Sequence, residues 1–433
     1  MSIAFGGAVA FLFRGVNLVV ALATVLLTQG AMTKDSYGAF VLGLTVVGIV
    51  NAVTGGLTAS AAYQVANKRE PPGRVFAGGL SPALMVGTVA LVAGLVGRSA
   101  LGGIAGDVAL PVALAATAVI VNGVAAGVFL GMNRLVRYNV ALVAPPALAL
   151  TAIGVTAFIV DMRTPQALLG AYAAGQWLAS LVLGAMGGRS FIAGGRPDAA
   201  LVRAMVAFGA LAGLSSGVSY LNYRADLFVV EHFEGRAGVG TYSLAVYVAE
   251  SVWQVSGSLA LATYPHVGAL DRAAAAELTT RVMRHTVVLL GVICAVVFVL
   301  AEPLQAFVFT KYDGMASALR FILPGVLVYG LAQSFSGFYT YQRGMPWVSA
   351  VVAGAGLVLD MILAVALVPL MGVDGAALAS ALAYSLAMAG ALAVFLRSEH
   401  LPLRDVFRIG RRELDDYRSV LSRLRAFRLA RQR

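Results

Sequence analysis

The sequence predicts an all-α polytopic membrane protein: about twelve transmembrane helices in two six-helix lobes, with both termini in the cytoplasm. Three observations predict it. Of the 433 residues, 60% are hydrophobic and only 12% are charged, and the mean hydropathy is +0.86. The charges cluster between apolar runs, each long enough to cross a hydrocarbon core of about 30 Å as a helix. The basic residues fall in alternate loops. A transmembrane barrel would instead show alternating segments of about ten residues, and no such pattern is present.

The runs follow in order. The first, 4–29, ends at KDSYG, and the second, 39–63, ends at NKREPPGR. Runs 75–97 and 108–131 lead to NRLVRYN, and 140–160 ends at DMRTPQ. Run 167–186 is followed by a basic segment, 187–203, containing RPDAALVR. Run 204–230 stops at FEGRAGVG and is followed by 240–263. Runs 284–301 and 318–340 precede YQRG, and 347–370 and 374–396 flank MGVDG.

One set of loops carries Lys68, Arg69, Arg74, Arg134, Arg137, Arg189, Arg196, Arg203, Arg272, Arg281, Arg284, Arg343 and the basic tail. The other carries only Lys34, Arg98, Arg163, Arg236 and Lys311. Positive loops stay cytoplasmic, so both termini are expected inside. This distribution turns the net charge of +11 into a topology signal and argues against a nucleic-acid partner. No cleavable signal peptide is expected, because Arg14 is the first basic residue. Cys294 is the single cysteine, so an intrachain disulfide is excluded.

An internal repeat emerges at a shift of about 200 residues. VTGGLTASAAY in the second run matches VSGSLALATY in the eighth, with Gly38 and Phe40 before the one matching Gly240 and Tyr242 before the other. LLGAYAAGQ in the sixth run resembles VDGAALASA in the twelfth. The expected division is an N-terminal lobe, 1–186, a cytoplasmic linker, 187–203, a C-terminal lobe, 204–396, and a tail, 397–433. Both lobes start on the same side, so the repeat is parallel, about an axis along the membrane normal. Substrate sites of such proteins lie between the repeats.

Charges inside the runs are the candidate site. Arg14 lies mid-way along the first run, with Asn17 one turn on. Arg224 and Asp226 lie late in the seventh run, Glu250 in the eighth and Asp360 in the eleventh. Each costs about 2.5–3.5 kcal/mol at a helix centre on insertion scales, and so should face protein or a water-filled cavity. Guanidinium groups suit a bidentate grip on phosphate oxygens, which makes Arg14, Asn17, Arg224 and Asp226 the substrate-binding candidates. Asp226, Glu250 and Asp360 are candidates for binding a coupling proton or sodium ion. The structural alternative is that Arg224 snorkels to the headgroups while the carboxylates only hold helices together.

Catalytic signals are lacking. GxxxxGK[ST] is absent, and His232, His266, His285 and His400 show no metal-ligand spacing. No cofactor is expected, and the chain is not expected to be an enzyme. Loops on the outer side are short, which counts against a membrane-embedded glycosyltransferase, ligase or polymerase. In the tail, Leu414, Tyr417, Leu421, Leu424 and Phe427 recur at helical spacing among many arginines. This reads as an amphipathic helix on anionic lipid.

The chain resembles the polysaccharide flippases of the multidrug/oligosaccharidyl-lipid/polysaccharide (MOP) exporter superfamily, the Wzx-like group that includes O-antigen translocases. Arg14 and Asn17, KDSYGAF, GGLTASAAYQVA, RADLFVVEHFEGRAGVGTYSLAVYVAE, AEPLQAFVFTKYDGMASALRFILPG, YQRG and LVPLMGVDGAALASALAYSL carry the resemblance. It implies a MATE-like fold in the bacterial inner membrane. The implied function is alternating-access translocation of an undecaprenyl-pyrophosphate-linked oligosaccharide, with basic residues meeting the pyrophosphate. A polysaccharide polymerase or glycosyltransferases would be expected partners. The other reading within the superfamily is a proton- or sodium-coupled small-molecule exporter.

Overall fold

The structure, a computed structural model, describes residues 3–100 and 104–404. The expected amphipathic tail helix lies outside the described residues. Sixteen α-helices run in order through them: α1 (Ile3–Ala31), α2 (Lys34–Thr54), α3 (Gly56–Ala66), α4 (Pro72–Ala100), α5 (Ile104–Gly131), α6 (Leu135–Phe158), α7 (Pro165–Gly187), α8 (Arg189–Ile192), α9 (Ala199–Arg224), α10 (Asp226–Ser251), α11 (Trp253–Ala269), α12 (Arg272–Phe307), α13 (Met315–Tyr329), α14 (Ala332–Gly337), α15 (Trp347–Met371) and α16 (Val373–Ser398). A π turn over Phe338–Gln342 follows α14. No strand occurs among the described residues. This is a multi-pass membrane protein.

The polar punctuation between runs starts the helices. Thr33 accepts the Ser36 N–H at the start of α2, and Thr164 accepts the Ala167 N–H at the start of α7. Asp198 accepts the Leu201 N–H for α9, and Asp271 the Ala274 N–H for α12. Each side chain satisfies an amide that the first turn leaves open.

Nine helices among the described residues are long and apolar enough to cross a membrane, or ten if a bent pair over 199–260 is one span. The twelve expected runs fall on these helices and on α1. Runs seven and eight share the bent pair, with FEGRAGVG between them. There Gly235 takes φ 67°, ψ −172°, which breaks the helix inside α10. Only glycine adopts that conformation readily. The ninth run is longer than expected: α12 has 36 residues and begins at Arg272 rather than near 284. Asp271 caps it and AAAA follows, so local propensity carries the helix beyond the apolar run. The repeat-bearing segments are both interrupted, between α2 and α3 at Gly55 and between α10 and α11 at Val252.

The helices form two compact units. The first comprises Met1–Ser243, Phe309–Asp313 and Val368–Val373. Its centre is α5, the most deeply buried span. Small residues let neighbouring backbones approach. A Cβ on Gly127 would lie 2.2 Å from the Thr58 carbonyl oxygen, and one on Gly56 1.9 Å from that of Gly209. Lipid tails are as apolar as leucine, so close van der Waals contact holds such helices together. Asn122, Gln176 and Ser180 add a buried polar cluster between α5 and α7. Asn122 Nδ2 donates to Gln176 Oε1 at 3.1 Å, and Ser180 Oγ donates to Asn122 Oδ1 at 2.8 Å.

The second unit comprises Leu244–Val308, Gly314–Leu367 and Asp374–Arg433. Trp253, Tyr329 and Tyr384 form a mutual aromatic cluster in it, with ring centroids 4.9–5.7 Å apart. The Trp253 indole donates to the Val326 carbonyl at 2.8 Å. That satisfied hydrogen bond marks these rings as packing.

Candidate functional site

Within the first unit, α9 ends at Arg224 and α10 begins at Asp226, with Ala225 between them still in the right-handed helical region. Arg224 is half-buried, and its Nη1 donates to the Tyr223 carbonyl at 2.7 Å. Asp226 is 1% exposed. Its Oδ1 accepts its neighbour Leu227's N–H at 2.9 Å, and its Oδ2 accepts the Tyr242 hydroxyl. Tyr242 is fully buried. A carboxylate so placed needs donors, since an unpaired buried charge costs several kcal/mol. The break at Gly235 folds the chain so that Tyr242 can supply one.

Arg14 lies on α1, with its side chain outside the described residues. Asn17 is half-buried on the same helix, without a hydrogen bond of its side chain among the described residues. The structure therefore places Arg224 and Asp226 at one helix junction of the first unit, and Asn17 elsewhere in it on α1. In the second unit, Glu250 is half-buried on α10. Asp360 on α15 is 1% exposed, and its Oδ1 accepts from Ser380 Oγ at 3.0 Å. No group of three or more His, Cys, Asp or Glu suited to a metal ion occurs among the described residues.

A second constellation of the first unit was not legible in the sequence. Lys34 Nζ meets Asp313 Oδ2 at 3.0 Å. Lys311 Nζ donates to the carbonyls of Gly30 at 2.9 Å and Met32 at 3.2 Å. The Tyr312 hydroxyl donates to the Gln29 carbonyl at 3.3 Å, and its ring meets that of Tyr37 edge-on at 5.8 Å. Arg236 approaches Asp35 at 3.7 Å. Lys34, Arg236 and Lys311 are three of the five basic residues expected on the side poor in positive charge. Each has a partner here, which gives a structural reason for their presence. A fourth, Arg163, pairs with Asp161 at 2.9 Å. The Lys34 ammonium, through its hydrogen bond and its charge, holds the Asp313 carboxyl below its ordinary value. Burial pushes the Tyr312 hydroxyl up.

At the centre of this constellation two helices touch through glycine. A Cβ on Gly38 would lie 1.8 Å from the Arg236 carbonyl oxygen, and one on Gly240 2.7 Å from that of Lys34. Gly38 and Gly240 are the pair that the repeat aligns. In each case the carbonyl met belongs to the residue one helical turn earlier in the opposite copy. Such a reciprocal contact is what an axis of two-fold symmetry imposes where it passes between equivalent elements.

The fold and these charges in apolar helices define a class: a multi-pass helical membrane protein with charged side chains set within its apolar helices. No protein-family model matches the sequence, and no curated protein matches it. Solved structures do. One is an inward-facing multidrug resistance MATE family transporter of the MOP superfamily, 14% identical, with a TM-score of 0.72 over 89% of this chain and 94% of that one. Another is the lipid II flippase MurJ in an inward closed conformation, 13% identical, with a TM-score of 0.75 over 92% and 89%. A third is a MOP superfamily transporter from Pyrococcus furiosus, described as having a binding pocket of reverse polarity that suggests a different function. It is 14% identical, with a TM-score of 0.62 over 91% and 94%. The chain has the fold of the MOP-superfamily transporters.

Proposed function

We propose that this protein is a flippase for a lipid-linked glycan, carrying an undecaprenyl-pyrophosphate oligosaccharide across the bacterial inner membrane by alternating access. The observation that carries this reading is the pair of arginines, Arg14 within the apolar run of α1 and Arg224 at the end of α9, beyond a stretch from Ala204 to Tyr223 without a charge. Arginine kept at membrane depth serves an anionic group better than a cationic drug. The repeat unit of an O-antigen or another surface polysaccharide fits that chemistry.

In this reading the lobes 1–186 and 204–396 move against each other, with both termini cytoplasmic. Asn17 and Asp226 act with the arginines on the headgroup, Asp226 by orienting Arg224. The basic tail lies on anionic lipid. A polysaccharide polymerase or glycosyltransferases would supply or receive the substrate. No nucleic acid or organic cofactor takes part. MurJ supports the reading only through its fold and its printed description as a lipid II flippase.

A second reading has its own observation. Asp226 and Asp360 are buried carboxylates that each accept a hydrogen bond from a hydroxyl. Together with Glu250, they would suit a proton- or sodium-coupled small-molecule exporter. The test is reconstitution into vesicles with a lipid-linked glycan. The flippase reading expects glycan translocation that falls at least tenfold in Arg14→Ala and in Arg224→Ala. Drug efflux driven by a proton or sodium gradient, with no glycan movement, would establish the exporter.

A further inference from the structure

In the second unit, α12, α13 and α16 enclose an open groove of about 900 Å³. Its walls are apolar: Leu327 and Leu331 of α13 and its end, Val287 of α12, and Met388 and Leu392 of α16. Ala389 and Ala393 leave the width along α16. One end differs in character, since Arg397 and His400 line it where α16 stops. Both are exposed, and neither has a carboxylate partner among the described residues. The nearby carboxylate, Glu399, is already taken: Arg272 grips it with Nε at 2.8 Å and Nη2 at 3.1 Å. The groove thus ends in net positive charge. Arg397 lies in the last turn of α16, where the negative end of the macrodipole favours a cation.

We propose that this groove binds one anionic glycerophospholipid, with acyl chains along α13 and α16 and the phosphate against Arg397 and His400. The argument separates where from which. Inside a bilayer the apolar walls gain little by exchanging one acyl chain for another, so they position a lipid without choosing it. Choice must come from the headgroup: the Arg397 guanidinium, with the His400 imidazole beside it as a hydrogen-bond donor and no carboxylate partner for either among the described residues, chooses an anion. The basic tail that follows residue 404 is a poor occupant. Its net positive charge has the same sign as the Arg397 end of the groove, and like charges repel.

The test uses the full chain in detergent, titrated with phosphatidylglycerol or phosphatidylcholine of identical acyl chains and read by native mass spectrometry. Wild type should bind phosphatidylglycerol more tightly, by on the order of fivefold, the effect of a cation at a charged headgroup. Arg397→Gln with His400→Gln should equalise the two lipids. Ala393→Trp, at an exposed position that needs no repacking, should weaken both by filling the groove. Equal affinity in wild type overturns the proposal. So does a preference that survives the double substitution, because the anion would then sit elsewhere, the tail included. Unchanged binding in Ala393→Trp overturns it as well.

Discussion

Gly38 and Gly240 lie against each other, and a Cβ added to Gly38 would stand 3.1 Å from the Gly240 nitrogen. Behind each glycine stands a backbone carbonyl of the other segment, which cannot move aside as a flexible side chain could. Gly38→Ala is therefore expected to destabilise the protein by about 1–3 kcal/mol, the usual cost of overpacking. Gly240→Ala should cost less, since its Cβ would meet carbonyl oxygen at 2.7 Å rather than 1.8 Å. Gly170→Ala is the control: nothing lies within 4 Å of its Cβ, so helix propensity alone should make it neutral or stabilising. Thermal unfolding of the three variants in detergent checks the order.

Asp226 and Tyr242 act as one buried unit. Tyr242→Phe removes a hydroxyl from a carboxylate that is 1% exposed. The expected loss is about 1 kcal/mol, in the range measured for hydrogen bonds inside membrane proteins. A double-mutant cycle with Asp226→Asn should show coupling of at least about 0.5 kcal/mol. Strictly additive losses would mean that the two side chains stabilise the fold independently.

The Lys34–Asp313 pair predicts a pH dependence. The folded-state value of Asp313 is lowered, chiefly by the hydrogen bond from Lys34. Its contribution is therefore complete above the ordinary carboxylate value and disappears as pH falls through the lowered one. The stability difference between wild type and Asp313→Asn should follow that course. It should also shrink with added salt, because both groups reach solvent. A difference that grows on acidification would contradict the assignment.

Arg224 offers a test of headgroup chemistry. Arg224→Lys keeps the charge but loses the planar fork. If a pyrophosphate is gripped there, translocation should fall at least tenfold in Arg224→Lys as well as in Arg224→Ala. Full rescue by lysine would show that charge alone suffices.

Capping gives a purely structural check. Asp271→Ala removes the acceptor of the Ala274 N–H at the start of α12 and should cost about 1 kcal/mol. Asp271→Asn or Asp271→Ser should recover most of it. Helix content and unfolding temperature report both effects.

The sequence by itself determined the membrane class, the helices and their order, because hydropathy and capping act over one span at a time. DMRTPQ spans the break between α6 and α7 as expected, whereas α2 and α9 begin inside KDSYG and RPDAALVR, five residues before their apolar runs, because Thr33 and Asp198 cap them there. The repeat pairs Gly38 with Gly240. What only the tertiary structure decided is which distant groups meet. Nothing local ties Tyr242 to Asp226, Asp313 to Lys34 or Lys311 to the end of α1. These contacts form because Gly235 reverses the chain, and because the segment Phe309–Asp313 packs in the first unit although it follows α12 of the second. The helix of the ninth run, α12, also extends beyond its apolar stretch, since helix propensity does not stop where hydropathy does. Periodicity reports which face of a helix is apolar; close backbone contact and charge pairing depend on three-dimensional neighbours that a linear pattern does not encode.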